Sequence, residues 1–172
     1  MEAKKPRICC FTGHREIADE DLVRLPHALD RLLEELIADG VTVFRAGGAL
    51  GFDTIAALKV LEKKKAYPHI RLELYLPCRD QARDFSDWNK MAYRYVLDRA
   101  DSSVFLSEAY VRGCMHKRNR ALVDGADLCV SYCVSATGGT AYTVNYAKKN
   151  GVRVIELSER LHDTACLYKI QK

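Results

Sequence analysis

Six short apolar runs, each rich in β-branched or aromatic residues, recur along the chain with helix-length segments between them. This alternation constrains the fold more than any other feature of the sequence. The runs cover residues 7–12, 41–46, 70–76, 102–107, 127–133 and 152–157. Strands that alternate with helices pair in parallel, because each crossover helix carries the chain back to the end where it started. The predicted architecture is α/β: a doubly wound, mainly parallel sheet with helices on both faces. A chain of 172 residues, 48% of them hydrophobic, suits one domain, with a core over about 7–157 and a tail over 158–172 that is read as a short terminal helix.

The spacers carry helix signals. Leu25, Leu29, Leu32, Leu33, Leu36 and Ile37 recur at three- and four-residue spacing, with Pro26 tolerable in a first turn and Gly40 just past the end. A second helix is expected to open at Gly51 or Phe52 and to run out through Lys63, Lys64 and Lys65, cations that suit the negative end of a helix dipole. Further helices are expected over 88–99, 113–124 and 140–150. In the third strand Ile70, Leu72, Leu74 and Leu76 alternate with Arg71, Glu73 and Tyr75, which marks one wet face and places that strand near an edge. Ile8–Phe11 and Leu128–Val134 are almost continuously apolar, so the first strand is central. These features predict a strand order of 3-2-1-4-5, with the ligand crevice where the order reverses, between the first and fourth strands.

Three strand ends run straight into small residues: Thr12, Gly13, His14, Arg15; then Gly47, Gly48, Ala49, Leu50, Gly51, Phe52, Asp53; then Thr137, Gly138, Gly139, Thr140. All three are expected at the carboxyl edge of the sheet. Glycine lets backbone N–H groups approach an anion closely, and a following helix start adds unpaired donors and a positive dipole, so the natural guest is a phosphate. Tight βα turns also need glycine for geometry alone, and the ligand reading rests on the three loops together. A fourth polar stretch, Met115-His116-Lys117-Arg118-Asn119-Arg120, lies where a helix starts at the same edge. Arg118 could clamp a phosphate or carboxylate, and Asn119 could bind a ribose hydroxyl or a base edge. A solvated basic helix face is the competing explanation.

Charge and cysteine usage narrow the class. The 27 Lys and Arg are offset by 23 Asp and Glu, leaving a formal charge of +4, which argues against a dedicated nucleic-acid grip. No window is long and apolar enough for a membrane helix, and the short basic start fits no secretory signal. The seven cysteines are odd in number and irregular in spacing. They are read as reduced thiols: Cys9, Cys10, Cys129 and Cys133 in strand-like runs, with Cys78, Cys114 and Cys166 scattered. No metal site is expected, and the chain is placed in the cytoplasm.

Thr12-Gly13-His14-Arg15, the Gly47–Asp53 loop, Arg118-Asn119 followed by Val123-Asp124 and Ala126-Asp127, and Gly138-Gly139-Thr140 together resemble the SLOG superfamily. Within it they most resemble the YpsA-like branch, and Gln81 and Trp88 extend the match. The resemblance implies a Rossmann-like sheet that binds a nucleotide or nucleotide-derived ligand, possibilities including a nucleoside monophosphate or an ADP-ribose-like molecule, and it allows a homodimer. It also implies that the three glycine loops contact phosphate and ribose, with Asp53 and Arg118 as polar anchors. The superfamily is related to the LOG phosphoribohydrolases and to the DNA-processing protein DprA. The LOG pattern Met-His-x-Arg is reproduced by Met115, His116 and Arg118. The LOG loop Pro-Gly-Gly-x-Gly-Thr-x-x-Glu is not: Ala136–Asn145 lacks both its proline and its glutamate. Loss of a positioned acid or base costs about 10² to 10⁴ in rate.

Three functions therefore stand. The first is a sensor or binding domain whose ligand touches Thr12, Gly13, His14, Arg15, Gly47, Gly48, Ala49, Gly51, Asp53, Arg118, Asn119, Gly138, Gly139 and Thr140, with Trp88 as a stacking platform for a base. The second is a phosphoribohydrolase-like enzyme that cleaves a nucleotide N-glycosidic bond, with Arg118 and Asp53 as its candidate catalytic groups. The third is single-stranded DNA binding through Arg112, Lys117, Arg118 and Arg120. His14 could serve as a base or donate to phosphate, though a histidine beside a turn more often bonds to backbone.

Overall fold

In a computed structural model, which describes residues 5–162, six strands form one sheet: β1 (Arg7–Gly13), β2 (Val41–Ala46), β3 (Arg71–Leu76), β4 (Ser102–Phe105), β5 (Leu128–Tyr132) and β6 (Arg153–Glu156). Every strand pairing is parallel. The helices between them are α1 (Arg24–Ala38), α2 (Phe52–Lys64), α3 (Asp87–Arg99), α4 (Cys114–Val123) and α5 (Gly139–Lys149), and α6 (Leu157–His162) follows β6. All six of the apolar positions that predict the first helix are buried on α1. Cys166 and the tail beyond residue 162 lie outside the described residues.

The two faces are covered by different helices. Leu25, Leu29 and Leu33 of α1, Phe52, Ala56 and Val60 of α2, Val96 of α3 and Leu161 of α6 share one core with Cys9, Phe11, Phe44, Leu72, Leu74 and Val130. On the other face Leu122 and Val123 of α4 and Ala147 of α5 pack over Cys10 and Cys129. Phe11 stacks on Phe44 at 5.9 Å, and Phe52 stacks on Tyr132 at 6.1 Å, locking β1, β2, α2 and β5 together near the carboxyl edge.

The strand order is β4-β3-β2-β1-β5-β6, which corrects the predicted 3-2-1-4-5. β1 is central as expected, but β4 lies on the outer edge beside β3 instead of beside β1. β3 lies near an edge as expected, one strand in, with β4 outside it, and its alternation comes from the way its two faces are covered. Leu72, Leu74 and Leu76 enter the large core, whereas the opposite face of β3 carries the half-buried Glu73 and Tyr75. There Arg45 forms a salt bridge with Glu73 at 3.3 Å and lies over the Tyr75 ring at 5.0 Å. A polar lattice thus covers one face of an internal strand. The order reverses once, when the chain leaves the edge strand β4, crosses through α4 and enters β5 on the far side of β1. The switch point lies between β1 and β5, where a doubly wound sheet opens its crevice.

Candidate functional site

At that switch point the end of β1 and the N-termini of α2, α4 and α5 surround a chamber of about 310 Å³. It is lined by Thr12, Gly13, His14 and Arg15 from the β1 turn and by Ala49 and Asp53 from the β2–α2 turn. Met115, Arg118 and Asn119 line it from α4, and Gly139 and Thr140 from α5, over a floor of Phe11 and Leu122. Ten of the predicted site residues therefore meet around one hollow. Gly47, Gly48, Gly51 and Gly138 are not among the lining residues; Gly47, Gly48 and Gly51 are packed against other parts of the fold, and Gly138 is exposed.

The β2–α2 turn is wired to the protein itself. The amides of Gly47 and Ala49 donate to Asp53 Oδ2 at 3.0 and 3.4 Å, and Phe52 N donates to the His14 carbonyl at 3.1 Å. The Gly47 carbonyl accepts from Arg118 Nη1 and, at 3.2 Å, from Gln81 Nε2. Such crowding explains two of the glycines. A Cβ on Gly47 would run into the Arg118 guanidinium and come within 2.8 Å of Asp53 Oδ2. One on Gly51 would strike the carbonyls of His14 and Arg15, and Gly51 also has φ +73°.

Asp53 and Arg118 form a buried ion pair at 3.8 Å, and the residues are 4% and 7% exposed. Burial raises the Asp53 carboxyl above its ordinary range, while the Arg118 charge and the two amides act against that rise. Among the described residues that line the chamber, Asp53 is the only carboxylate. Arg118 is spent largely on the protein, since its Nε also donates to Asn119 Oδ1 at 2.8 Å. Asn119 in turn reaches the Gly139 carbonyl through Nδ2 at 3.5 Å, coupling α4 to the start of α5.

The other donors face the hollow from β1 and α5. His14 Nε2 accepts the Val134 amide at 2.9 Å, so its neutral form carries the proton on Nδ1. Burial lowers the His14 pKa from 6.5, and the same hydrogen bond needs the unprotonated Nε2. The N-terminus of α5 has no side-chain cap, leaving its first-turn amides directed at the chamber end of the helix. Arg15 is exposed and lines both this chamber and a second, neighbouring one.

The remaining predicted groups lie elsewhere. Trp88 is 76% exposed on α3 and lines neither chamber, which leaves it no stacking position over a ligand there. The basic stretch of α4 is not one free cationic face. Arg118 is buried, Lys117 Nζ donates to the Leu106 carbonyl at 3.1 Å, and Arg120 donates to the Tyr142 hydroxyl at 3.2 Å. His116 packs edge-on against Tyr142 at 4.5 Å. Cys9, Cys10, Cys78, Cys114, Cys129 and Cys133 are free thiols. Among the described residues no group of three or more His, Cys, Asp or Glu is placed to hold a metal, and no helix is long and apolar enough to cross a membrane.

The profile of the YspA SLOG family matches residues 9–156. The chain belongs to the YpsA SLOG family. This YpsA-family chain is 30% identical over 141 residues to the uncharacterized SPbeta prophage-derived protein YoqJ of Bacillus subtilis (strain 168), covering 74% of the chain and 82% of YoqJ. It is 28% identical over 127 residues to a UPF0398 protein of Bacillus cereus (strain B4264), covering 72% of the chain and 69% of that protein. In three dimensions it resembles DNA processing protein A of Helicobacter pylori, described for its single-stranded DNA binding mode. That likeness has a TM-score of 0.64 at 17% identity over 94% of this chain and 74% of the other. The same protein of Streptococcus pneumoniae gives 0.63 at 17% identity, over 96% of this chain and 56% of that one. At such identities the likeness establishes a shared fold.

The second chamber is a feature that sequence reasoning did not assemble. Its volume is about 430 Å³, and Cys78, Asp80, Gln81, Arg83, Phe85 and Tyr110 bring to it the loops after β3 and β4. One signal was present: Gln81 extends the family resemblance, while Asp80, Phe85 and Tyr110 lie in loops that are far apart in the chain.

Proposed function

We propose that this YpsA-family chain binds a nucleotide or nucleotide-derived, phosphate-bearing ligand at the carboxyl edge of its sheet, as a sensor or binding domain. The observation that carries the reading is the open chamber at the β1/β5 switch point, where the uncapped start of α5 meets His14 and Arg15. Anionic oxygens suit that combination of helix dipole, unpaired amides and cationic side chain. The phosphate contacts fall to Gly139, Thr140, His14 and Arg15, while Asp53, Arg118 and Gly47 hold the chamber walls in register.

The arrangement favours binding over glycosidic cleavage. A hydrolase needs a carboxylate able to reach the reacting atoms, and Asp53 spends Oδ2 on two amides and Arg118. The test is a thermal-denaturation panel of nucleoside monophosphates, nucleoside diphosphates and ADP-ribose, with free-base release measured on the same samples. A ligand at about a hundred times its Kd should add roughly 2.7 kcal/mol of stability, and Arg15→Ala should reduce the response. A flat response to every nucleotide refutes the reading. Release of base that depends on Asp53 replaces it with the enzymatic one. Single-stranded DNA binding, the property named for the Helicobacter pylori protein, would show instead as steeply salt-dependent affinity for an oligonucleotide.

A further inference from the structure

The two chambers adjoin. Arg15, Ala49 and Met115 line both, which sets the α5 end beside the space between the loops that follow β2, β3 and β4. The walls of the second chamber differ in character from those of the first. Leu50, Met115, Phe85 and Tyr110 supply apolar and aromatic surface, and Phe85 is braced edge-on by Tyr93 at 6.0 Å. Flat apolar walls with a few polar groups at the margin suit a planar heterocycle.

The polar margin centres on Asp80. Its Oδ1 accepts the Tyr110 amide at 3.0 Å, while Arg79 N donates to the Glu108 carbonyl at 3.4 Å, so the β3–α3 and β4–α4 loops are clasped together across the chamber. Asp80 Oδ2 lies 3.5 Å from Arg83 Nη1, a loose contact, and the Asp80 side chain is one-third exposed at 32%. A carboxylate has about four lone-pair sites; the Tyr110 amide, the Cys78 thiol and Asp80's own amide occupy three, so the capacity left for a ligand lies on the exposed side, where the Arg83 contact is loose. Asp80 holds its charge: a hydrogen bond from Cys78 is the main influence that lowers its pKa. The Cys78 thiol itself, pushed up to about 11 by burial and by Asp80, stays protonated as the donor.

We propose that the second chamber seats the base of the nucleotide, and that Asp80 selects an amino-bearing base over its oxo counterpart. This rests on the nucleotide reading above. An exocyclic amine donates to the carboxylate, whereas a carbonyl oxygen at the same place meets it lone pair to lone pair. Tyr110 and Phe85 supply the contact area, and the phosphate remains at the α5 end.

Isothermal titration of the full chain with AMP, IMP, CMP, UMP and ribose 5-phosphate tests it. An amino-bearing nucleotide, AMP or CMP, should bind about tenfold more tightly than its oxo partner, IMP or UMP, since a hydrogen bond to a charged group is at stake. Asp80→Asn should level the pair, because an amide can turn either edge to the base. Tyr110→Ala should bring the nucleotide down to the affinity of ribose 5-phosphate while leaving ribose 5-phosphate binding unchanged, and that unchanged value also reports an intact fold. Equal affinities for the amino and oxo partners, or a Tyr110→Ala loss shared equally by ribose 5-phosphate, overturns the proposal while the phosphate site stands. Failure of every nucleotide and of ribose 5-phosphate to bind refutes the nucleotide reading itself.

Discussion

Replacing Asp53 by Asn keeps the side-chain shape and removes its charge. Arg118, 7% exposed and 3.8 Å away, would then lie buried with no partner of opposite charge. Breaking a buried pair from one side costs about 3–5 kcal/mol, because the remaining ion keeps its desolvation penalty without the attraction that offset it. The amide oxygen of Asn can still accept from Gly47 N, so lost hydrogen bonding adds little. For a chain of this size about 1 kcal/mol moves Tm by roughly 2–4 °C, so a fall of roughly 6–20 °C is expected. Arg118→Met strands the carboxylate instead, and its penalty depends on pH. Without Arg118 the folded-state pKa of Asp53 rises further above the unfolded value near 3.8. The folded chain then binds the extra proton, so the penalty is smallest in acid and grows as pH rises through the folded pKa. The double variant Asp53→Asn, Arg118→Met removes both charges and should be more stable than the sum of the single losses implies, by about 2 kcal/mol. Urea denaturation followed by circular dichroism measures all four states of the cycle. A cost below about 1 kcal/mol for Asp53→Asn, or strict additivity in the double variant, would refute the account of the pair as the structural node beneath the chamber.

Gly51→Ala should cost about 2 kcal/mol or more, since it combines a left-handed φ of +73° with collisions against two carbonyls. Gly151→Ala, at φ +74° with open space around it, should cost about 1 kcal/mol; similar losses for the two would remove the steric argument. His14, followed by two-dimensional NMR, should titrate below 6.5. Because the unfolded chain then takes up a proton first, its contribution is fully present above pH 6.5 and declines as pH falls toward the folded value; a pKa above 6.5 contradicts the Val134 hydrogen bond to Nε2. Trp88→Ala should change stability by less than about 0.5 kcal/mol and leave any nucleotide-induced stabilisation intact, and a lost nucleotide response would restore the stacking role that its exposure denies. A thiol reagent should label the half-buried Cys133 well before Cys9, Cys10 and Cys129, whose labelling should follow global unfolding; prompt labelling of those three would contradict their burial.

Local chemistry determined a good deal here without help from the fold. Leu25 to Ile37 could bury a stripe only as a helix, and Ile8–Phe11 could satisfy its backbone in an apolar setting only as an internal strand. These are short-range facts, fixed by the period of the apolar pattern. The need for glycine at 47 and 51 is not one of them: what excludes a side chain there is Arg118 and the carbonyls of His14 and Arg15, which the fold brings in. Strand order was different. β3 shows the alternation of a half-wet strand because Arg45 and Glu73 cover one of its faces, and nothing local distinguishes that from an edge; only the path of the crossover after β4 decides it. The same holds for the site. In the sequence, Asp53 and Arg118 are separate polar residues near two loops, and the Gly47–Asp53 turn reads as an anion cradle. Tertiary contact turns those amides inward onto Asp53, leaves the α5 start and the β1 turn facing the chamber, and assembles a second chamber from loops far apart in the chain. Long-range pairing decides which donors are already spent, and a donor can meet a ligand only if the fold has not used it first.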